Sequence, residues 1–363
     1  MTRDEHQERA ASILKDRKRL MCCWATGTGK SSVVIKFLKC NPLLKTLILV
    51  PEQNNIDNWH NEFVKFGVSE ESVTVICYAS LHKYENTNWG LIVFDEAPHF
   101  DTELKKKICN SINAEYVLAL GAVITDEQKN SLRSVYGDFY EYTITMSMAI
   151  DQGLLPPPLV CIVHMKLNDF IYKHRFRGRQ ITDKEYYDIL NNRVESAKSD
   201  FDSNPSESNK KKMLFAGLQR KQFIGRCKEQ MTRYLCERLD RADKRYICFC
   251  ASIKQAEAIG GKLAFTSKTS AKLKLLDRFN DKEINSLFVV GKLIEGQNLK
   301  DIDCGVLGSI GGTDRITVQS IGRVMRSPKP VIYVPIIDNT KDEDFAKTVT
   351  YNIPNEYIKH YKF

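Results

Sequence analysis

No stretch of about 20 consecutive apolar residues occurs in the 363-residue chain, so no single-helix membrane span is expected. The opening residues, MTRDEHQERAAS, are charged and lack the apolar core of a secretory leader, and an intracellular, cytoplasmic protein is expected. No C-x-x-C pair occurs among the 11 cysteines, which argues against a zinc or iron–sulfur site. Most of them, such as Cys22, Cys23, Cys77, Cys161, Cys248 and Cys250, lie inside apolar runs and read as reduced core residues. No repeat of fixed short period is found. What the chain does hold is 42% hydrophobic and 27% charged residues, enough for two soluble domains with their own cores. The net charge of +9 suits a polyanion such as nucleic acid and equally a surface charged for solubility.

Short apolar runs alternate with helix-length polar segments. RLMCCW (19–24), TLILVP (46–51), VTVICY (73–78), GLIVFD (90–95) and YVLALG (116–121) read as buried strands, and SSVVIKFLK and QNNIDNWHNEFVKF as helices between them. Near-continuous apolar strands of this kind belong to a parallel, doubly wound α/β sheet. The run GLLPPPL (153–159) cannot continue a helix or a central strand and marks a boundary. Residues 166–240 are charged and helix-favouring, after which RYICFC (245–250), SLFVVG (286–291), CGVLGS (304–309) and PVIYVP (330–335) resume the alternation. The expected plan is therefore α/β, with a first domain at 1–152, a linker and first strand at 153–165, a charged helical segment at 166–240 and a second α/β domain at 241–363.

The stretch CCWATGTGKSS follows an expected strand and opens an expected helix, the setting in which backbone N–H groups cradle phosphate oxygens. Gly27 and Gly29 let the backbone approach, Lys30 brings charge to the β- and γ-phosphates, and Ser31 offers a hydroxyl to Mg²⁺. Thr26, Thr28 and Ser32 complete the loop. A full phosphate-loop pattern would have glycine where Trp24 stands; that position lies farthest from the phosphates. In LIVFDEAPH (91–99) four apolar residues run into two carboxylates, which places Asp95 to hold Mg²⁺ and Glu96 to orient and deprotonate water. QSIGRVMR (319–326) has arginines at i and i+3, on one helix face; alone it is more often a solvated basic surface.

In this order, ATGTGKS, DEAPH and QSIGRVMR resemble the motifs of superfamily 2 helicases and translocases, in particular restriction-enzyme motor subunits and phage branch-migration helicases. In that group the loop often lacks the leading glycine. The resemblance implies two tandem RecA-like domains and extends to HQERA, LILVPEQNNIDNW, CYASLHKY, ICFCASIKQAE and SLFVVGKLIEGQNLKDID. It implies that Gln7, assisted by Arg3, reads the adenine edge of ATP. It gives Glu295, Gly296 and Asn298 a place in the nucleotide site, and has Gln319, Arg323 and Arg326 reach the γ-phosphate. Pro51, Gln53, Asn54, Ser80, Gly291 and Lys292 become nucleic-acid contacts. Two departures stand out: Pro98 precedes His99 in the second motif, and the Thr/Ser-Ala-Thr of relatives is replaced by Gly121, Ala122 and Val123, with Thr125 as a substitute hydroxyl.

The resemblance implies a monomeric enzyme that hydrolyses ATP with Mg²⁺ and moves along nucleic acid, DNA more than RNA because Gln319 heads the arginine motif. Arg175, Arg177 and Arg179, interleaved with Phe176 in KHRFRGRQ, suit phosphate contact and stacking, and NKKKMLFAGLQRKQFIGRCKEQ (209–230) is likewise basic; either could equally be a solvated face. The alternatives are an RNA helicase and a nucleotide-gated annealing module with weak hydrolysis.

Overall fold

The computed structural model describes residues 1–100, 103–269, 272–290, 299, 301–309, 322, 324–325, 327–351 and 353–363. The chain divides into two compact units, the first Met1–Pro156 and the second beginning at Pro157.

The first unit opens with α1 (Arg3–Arg17), started by a capping box in which Thr2 Oγ1 accepts the Glu5 N–H and the Glu5 carboxylate accepts the Thr2 N–H. Then follow β1 (Arg19–Trp24), α2 (Ser31–Cys40), β2 (Thr46–Val50), α3 (Gln53–Phe66), β3 (Val73–Cys77) and β4 (Asn88–Phe94). α4 (Glu103–Cys109), β5 (Asn113–Gly121), α5 (Asp126–Tyr136), β6 (Tyr140–Ile144) and α6 (Met146–Asp151) complete it. The strands form a parallel sheet in the order β3-β2-β4-β5-β1-β6. All five residues of β2 are buried, as a strand covered on both faces requires. One face of the sheet holds Leu47, Leu49, Ile92, Phe94, Val117 and Ala119 in a continuous core. Because every strand runs the same way, all carboxyl ends emerge along one edge. That edge gathers Trp24 of β1, Phe94 of β4 and Gly121 of β5, with β5 paired to both β1 and β4.

The second unit contains β7 (Leu159–Met165), β8 (His174–Phe176), β9 (Arg179–Ile181), α7 (Asp183–Ser203), α8 (Glu207–Cys227) and α9 (Glu229–Arg241). It continues with β10 (Tyr246–Cys250), α10 (Ile253–Gly260), β11 (Ala264–Phe265), α11 (Lys272–Asn280), β12 (Ser286–Val290) and β13 (Cys304–Val306). β14 (Val331–Ile337), α12 (Lys341–Thr350) and β15 (Ile358–Lys362) end the chain. A parallel sheet runs β11-β12-β10-β13-β14-β7-β15. The strand after the three prolines is thus bounded by two late strands: β7 pairs with β14 and with β15, which the sequence reading left out.

Between β7 and β10 the basic stretch KHRFRGRQ corrects an expectation. It is not helical: β8 and β9 form an antiparallel hairpin with His174 opposite Ile181 and Phe176 opposite Arg179. Arg177 and Gly178 at its tip have φ of +49° and +84°, and two successive left-handed residues cannot be threaded by an α-helix but do close a two-residue hairpin. α7 and α8 then pack against each other. Their buried residues, Tyr187, Leu190 and Val194 on α7 and Arg220, Phe223, Ile224 and Gly225 on α8, are confined to the half of the pair nearer the sheet.

That pair is rooted by a buried ion pair. Lys228, at the junction of α8 and α9, donates from Nζ to Asp342 Oδ2 at 2.8 Å and to the Pro335 carbonyl at 3.0 Å, and the two side chains are 1% and 3% exposed. Asp342 also accepts the Ile337 N–H at 3.3 Å. Removing one partner leaves the other charge buried and uncompensated. Asp342→Ala is expected to destabilise the protein by about 3–5 kcal/mol, whereas Lys228→Met with Asp342→Leu is expected to recover most of that loss. Urea unfolding followed by circular dichroism measures both; a single variant as stable as the native chain would show that the pair does not root the helices.

Candidate active site

The loop between β1 and α2 is shaped by two glycines that no other residue replaces without strain. Gly27 has φ +91° and Gly29 φ +83°, and a Cβ on Gly29 would lie 2.5 Å from Gln7 Nε2. Gln7, buried on α1, donates from Nε2 to the Gly29 carbonyl at 3.1 Å, so α1 holds the loop from behind. The Thr28 hydroxyl donates to the Ala25 carbonyl at 2.7 Å. Lys30 Nζ donates to the Trp24 carbonyl at 3.1 Å, turned back over the loop. The Thr26 hydroxyl is buried and finds no partner among the described residues. α2 begins at Ser31 with no side-chain cap, and the Val33 N–H donates to the Lys30 carbonyl at 3.1 Å. Ser32 donates its N–H to the Gly29 carbonyl at 3.1 Å, closing the first turn.

Trp24 stands where a glycine would complete the loop pattern. Its ring is fully buried beneath the loop, edge-on to Tyr142 of β6 at 5.4 Å and to His6 of α1 at 6.2 Å. Only its carbonyl faces the loop, where it accepts Lys30. A bulky residue is therefore tolerated because its side chain is part of the core.

The second element is the end of β4. Asp95 donates its N–H to the Leu49 carbonyl of β2 and accepts the Trp59 Nε1–H at Oδ2, both at 2.9 Å. The Tyr78 hydroxyl donates to the Asp95 carbonyl at 3.0 Å. Burial and then the neighbouring Glu96 charge push the Asp95 carboxyl up to about 6; the Trp59 hydrogen bond and the Lys30 charge act in the opposite direction. Glu96 follows in the left-handed region, φ +50° and ψ +59°, a conformation that costs a non-glycine residue about 1 kcal/mol or more and turns the chain sharply between the two carboxylates. The sequence reading missed Trp59 and Tyr78. The usable signal was a tryptophan in the polar first half of α3, nine residues past the end of β2.

Pro98 and His99 lie in a single 3₁₀ turn, Ala97–His99, with the His99 ring stacked on Tyr78 at 6.0 Å. The Pro98 carbonyl accepts Gln128 Nε2 at 3.2 Å. Gly121 ends β5 beside this turn: a Cβ there would sit 2.8 Å from Ile124 Cγ1 and 3.2 Å from Pro98 Cδ. The two departures from the family pattern are therefore one packing solution, in which Pro98 and Ile124 fill the space that a Thr or Ser side chain would need. Thr125 caps α5, its hydroxyl accepting the Gln128 N–H at 3.3 Å, and so its oxygen is committed to the helix.

Other expected residues fall as follows. Arg3 donates from Nη2 to the Leu154 carbonyl at 2.6 Å, beside a cleft of about 530 Å³ lined by Met1, Thr2, Gln152 and Gly153. Pro51 follows β2, and Gln53 and Asn54 open α3 with exposed side chains. Ser80 lies in the 3₁₀ stretch Tyr78–Tyr84, after β3. Arg175, Arg177 and Arg179 are exposed on the hairpin of the second unit; Arg179 Nη2 donates to Glu185 Oε1 at 3.0 Å, and Arg177 lies over the Phe176 ring at 5.3 Å. Gly291, Lys292, Glu295, Gly296, Asn298, Gln319, Arg323 and Arg326 lie outside the described residues. Among the described residues, no helix is long and apolar enough to cross a membrane.

Comparison with known proteins agrees with this architecture. The family model described as type III restriction enzyme, res subunit matches residues 1–126. The Hef helicase domain of Pyrococcus furiosus superposes with a TM-score of 0.56 at 15% identity, covering 94% of this chain and 97% of that one. The ATP-dependent Type ISP restriction-modification enzyme LlaBIII, bound to DNA, gives 0.58 at 14% identity over 99% of this chain and 31% of its own length. S. cerevisiae Dbp5, bound to RNA and ADP BeF3, gives 0.60 at 14% identity over 99% and 89%. No curated protein matches the sequence. At these identities the likeness is one of fold: two α/β units, each built on a parallel sheet, as in the helicase structures named.

The raised Asp95 carboxyl has a thermodynamic consequence. With its folded value near 6 against an ordinary 3.8, the folded chain binds this proton more tightly than the unfolded chain. The resulting penalty is absent below pH 3.8, grows as the pH rises through 6 and is complete above it. Asp95→Asn keeps an acceptor for Trp59 and removes the charge. In magnesium-free buffer the variant is expected to exceed the native chain in stability by on the order of 2–3 kcal/mol at pH 8 and by nothing at pH 4. Denaturant unfolding at the two pH values measures this, and a difference independent of pH would contradict it.

Proposed function

We propose that this chain is an ATP-driven nucleic-acid helicase or translocase that acts on DNA. The observation that carries the reading is the shared sheet edge: the loop bearing Lys30 ends β1, the Asp95–Glu96 pair ends β4, a single strand separates them, and Lys30 lies within electrostatic reach of Asp95. Lys30 binds the β- and γ-phosphates in place of the Trp24 carbonyl that it now meets, and the loop from Thr26 to Ser32 with the uncapped start of α2 accepts the remaining phosphate oxygens. Gln7 and Arg3 stand behind the loop and read the adenine. Ser31 and Asp95 form an all-oxygen donor set that fits Mg²⁺, and a carboxylate penalised by burial gains from a cation beside it. When bound, Mg²⁺ neutralises phosphate charge during transfer. Glu96, set in a left-handed turn at the end of β4, orients the attacking water and takes its proton.

Glu295, Gly296 and Asn298, and then Gln319, Arg323 and Arg326, supply the remaining nucleotide contacts and the charge that stabilises the transferring phosphoryl group. Pro51, Gln53, Asn54 and Ser80, with Gly291 and Lys292, contact the nucleic-acid backbone, and the hairpin arginines Arg175, Arg177 and Arg179 add phosphate contacts. The preference for DNA rests on Gln319 and on the restriction-subunit match in the first 126 residues. The chain acts as a monomer.

Turnover and binding measurements test the reading. Lys30→Ala is expected to lose most DNA-stimulated ATPase activity while staying folded. Glu96→Gln is expected to bind ATP normally and turn it over about 10²–10⁴-fold more slowly; lost ATP binding in that variant would remove Glu96 from the role of base. Arg326→Ala is expected to slow turnover by about 10³–10⁵-fold. Stimulation by matched DNA and RNA strands decides the substrate, and stronger stimulation by RNA would replace the DNA reading. Single-strand affinity is expected to fall with salt at a slope of about −0.7 per phosphate contact; an affinity indifferent to salt would exclude a backbone-tracking groove.

A further inference from the structure

We infer that the outer half of the α7–α8 pair is a docking face for an acidic, amphipathic helical segment of a partner protein. Each helix has 21 residues, about 31 Å of length. Residues 195–203 of α7 and 207–219 of α8 contain no buried side chain, so roughly 15 Å of the pair stands clear of the core. On that outer part of α8, Leu214, Phe215 and Leu218 are 60%, 62% and 47% exposed. Single exposed apolar residues need no explanation, but three on neighbouring turns of one helix mark a contact surface.

Two further features define what fits there. Gly217 lies three residues after Leu214 on the same stripe, in the helix interior, and a Cβ at that position would meet nothing within 4 Å. The protein's own packing gives no reason for a glycine, which costs a helix about 0.5–1 kcal/mol relative to alanine. It leaves a notch between Leu214 and Leu218 where another backbone can approach. Lys210 and Lys211 lie one turn before Leu214 and Phe215 on the same face, and Lys212 adjoins them; all three are exposed, and Lys211 also reaches Glu207 at 3.9 Å. Residues 166–228 hold fifteen Lys and Arg against eight Asp and Glu, so +7 of the net +9 charge sits in this one insertion.

Charge and shape together select the occupant. A nucleic acid accounts for the lysines and for Phe215, which can stack on a base, but aliphatic side chains neither stack nor pair with phosphates, and Leu214 and Leu218 would stay exposed. A second copy of this chain would bring the same positive charge and be repelled. A helix with apolar residues at i, i+3 and i+4 and carboxylates beside them covers the leucines, seats its backbone in the Gly217 notch and pairs with the lysines.

The test uses the full-length protein and a fluorescent peptide of about sixteen residues made of Glu and Leu with the leucines on one helical face, against a scrambled peptide of equal composition. Binding by anisotropy is expected for the first, and at least about tenfold weaker for the scramble. Leu214→Ser/Phe215→Ser/Leu218→Ser and, separately, Lys210→Glu/Lys211→Glu/Lys212→Glu are each expected to weaken peptide binding at least about tenfold. The serine variant is expected to keep the native melting temperature and the native affinity for a single-stranded DNA oligonucleotide, because none of its positions is buried. The inference fails if the serine variant binds the peptide as the native chain does, or if the scramble binds equally well, since charge alone would then suffice. It also fails if the serine variant loses DNA affinity, which would make the face a nucleic-acid surface, or if sedimentation finds a native dimer that the serine variant dissolves.

Discussion

A carboxylate held out of water at the end of a strand is the constraint on which the first unit turns. Asp95 is opposed by desolvation and by Glu96, and is supported by one indole N–H and by the charge of Lys30. Meeting those needs fixes several elements at once. α3 must lie where Trp59 can donate, the stretch after β3 must bring Tyr78 to the Asp95 carbonyl, and the loop after β1 must carry its lysine within reach. A parallel sheet satisfies all of this economically, since every strand delivers its end to the same edge. The left-handed Glu96 belongs to the same arrangement: it ends the strand immediately after Asp95 and leads the chain into the 3₁₀ turn Ala97–His99.

The departures from the helicase pattern acquire a physical reason in this setting. Pro98 occupies space that a residue larger than glycine at 121 would claim, with Ile124 closing the gap from the other side. A hydroxyl-bearing side chain at 121 is thus excluded by packing, and Thr125 does not replace it because it caps α5. Trp24 follows the same logic: it is tolerated in the loop because His6 and Tyr142 bury its ring.

In the second unit, charge is divided by depth. The buried Lys228–Asp342 pair joins the root of the helical pair to α12 and β14, where desolvation makes an unpaired charge costly. The hairpin and the outer helices carry the excess of basic residues in water, where like charges are screened, and hold exposed apolar side chains among them. One insertion between β7 and β10 therefore has a rigid base and a free, chemically distinct outer half.

The sequence by itself determined the strands of both sheets that are apolar throughout, because a strand buried on both faces must be apolar at nearly every position. It also determined the glycine-bearing loop after β1 and the place of the Asp95–Glu96 pair, because glycine at a left-handed turn and carboxylates after a buried strand are local requirements. It was silent on β6, whose YEYTI carries four polar or half-polar residues, and on the pairing of β15 with β7, across nearly 200 residues, since pairing partners are chosen by the whole sheet. KHRFRGRQ read as helix-favouring by composition and became a hairpin because tip geometry and packing against α7 outweigh weak propensity. Only the tertiary structure could decide that Trp59 serves Asp95, that Pro98 excludes a side chain at 121 and that Lys228 meets Asp342. Each joins residues distant in the chain, and their free energies come from desolvation and close packing, which exist only once the elements have been brought together.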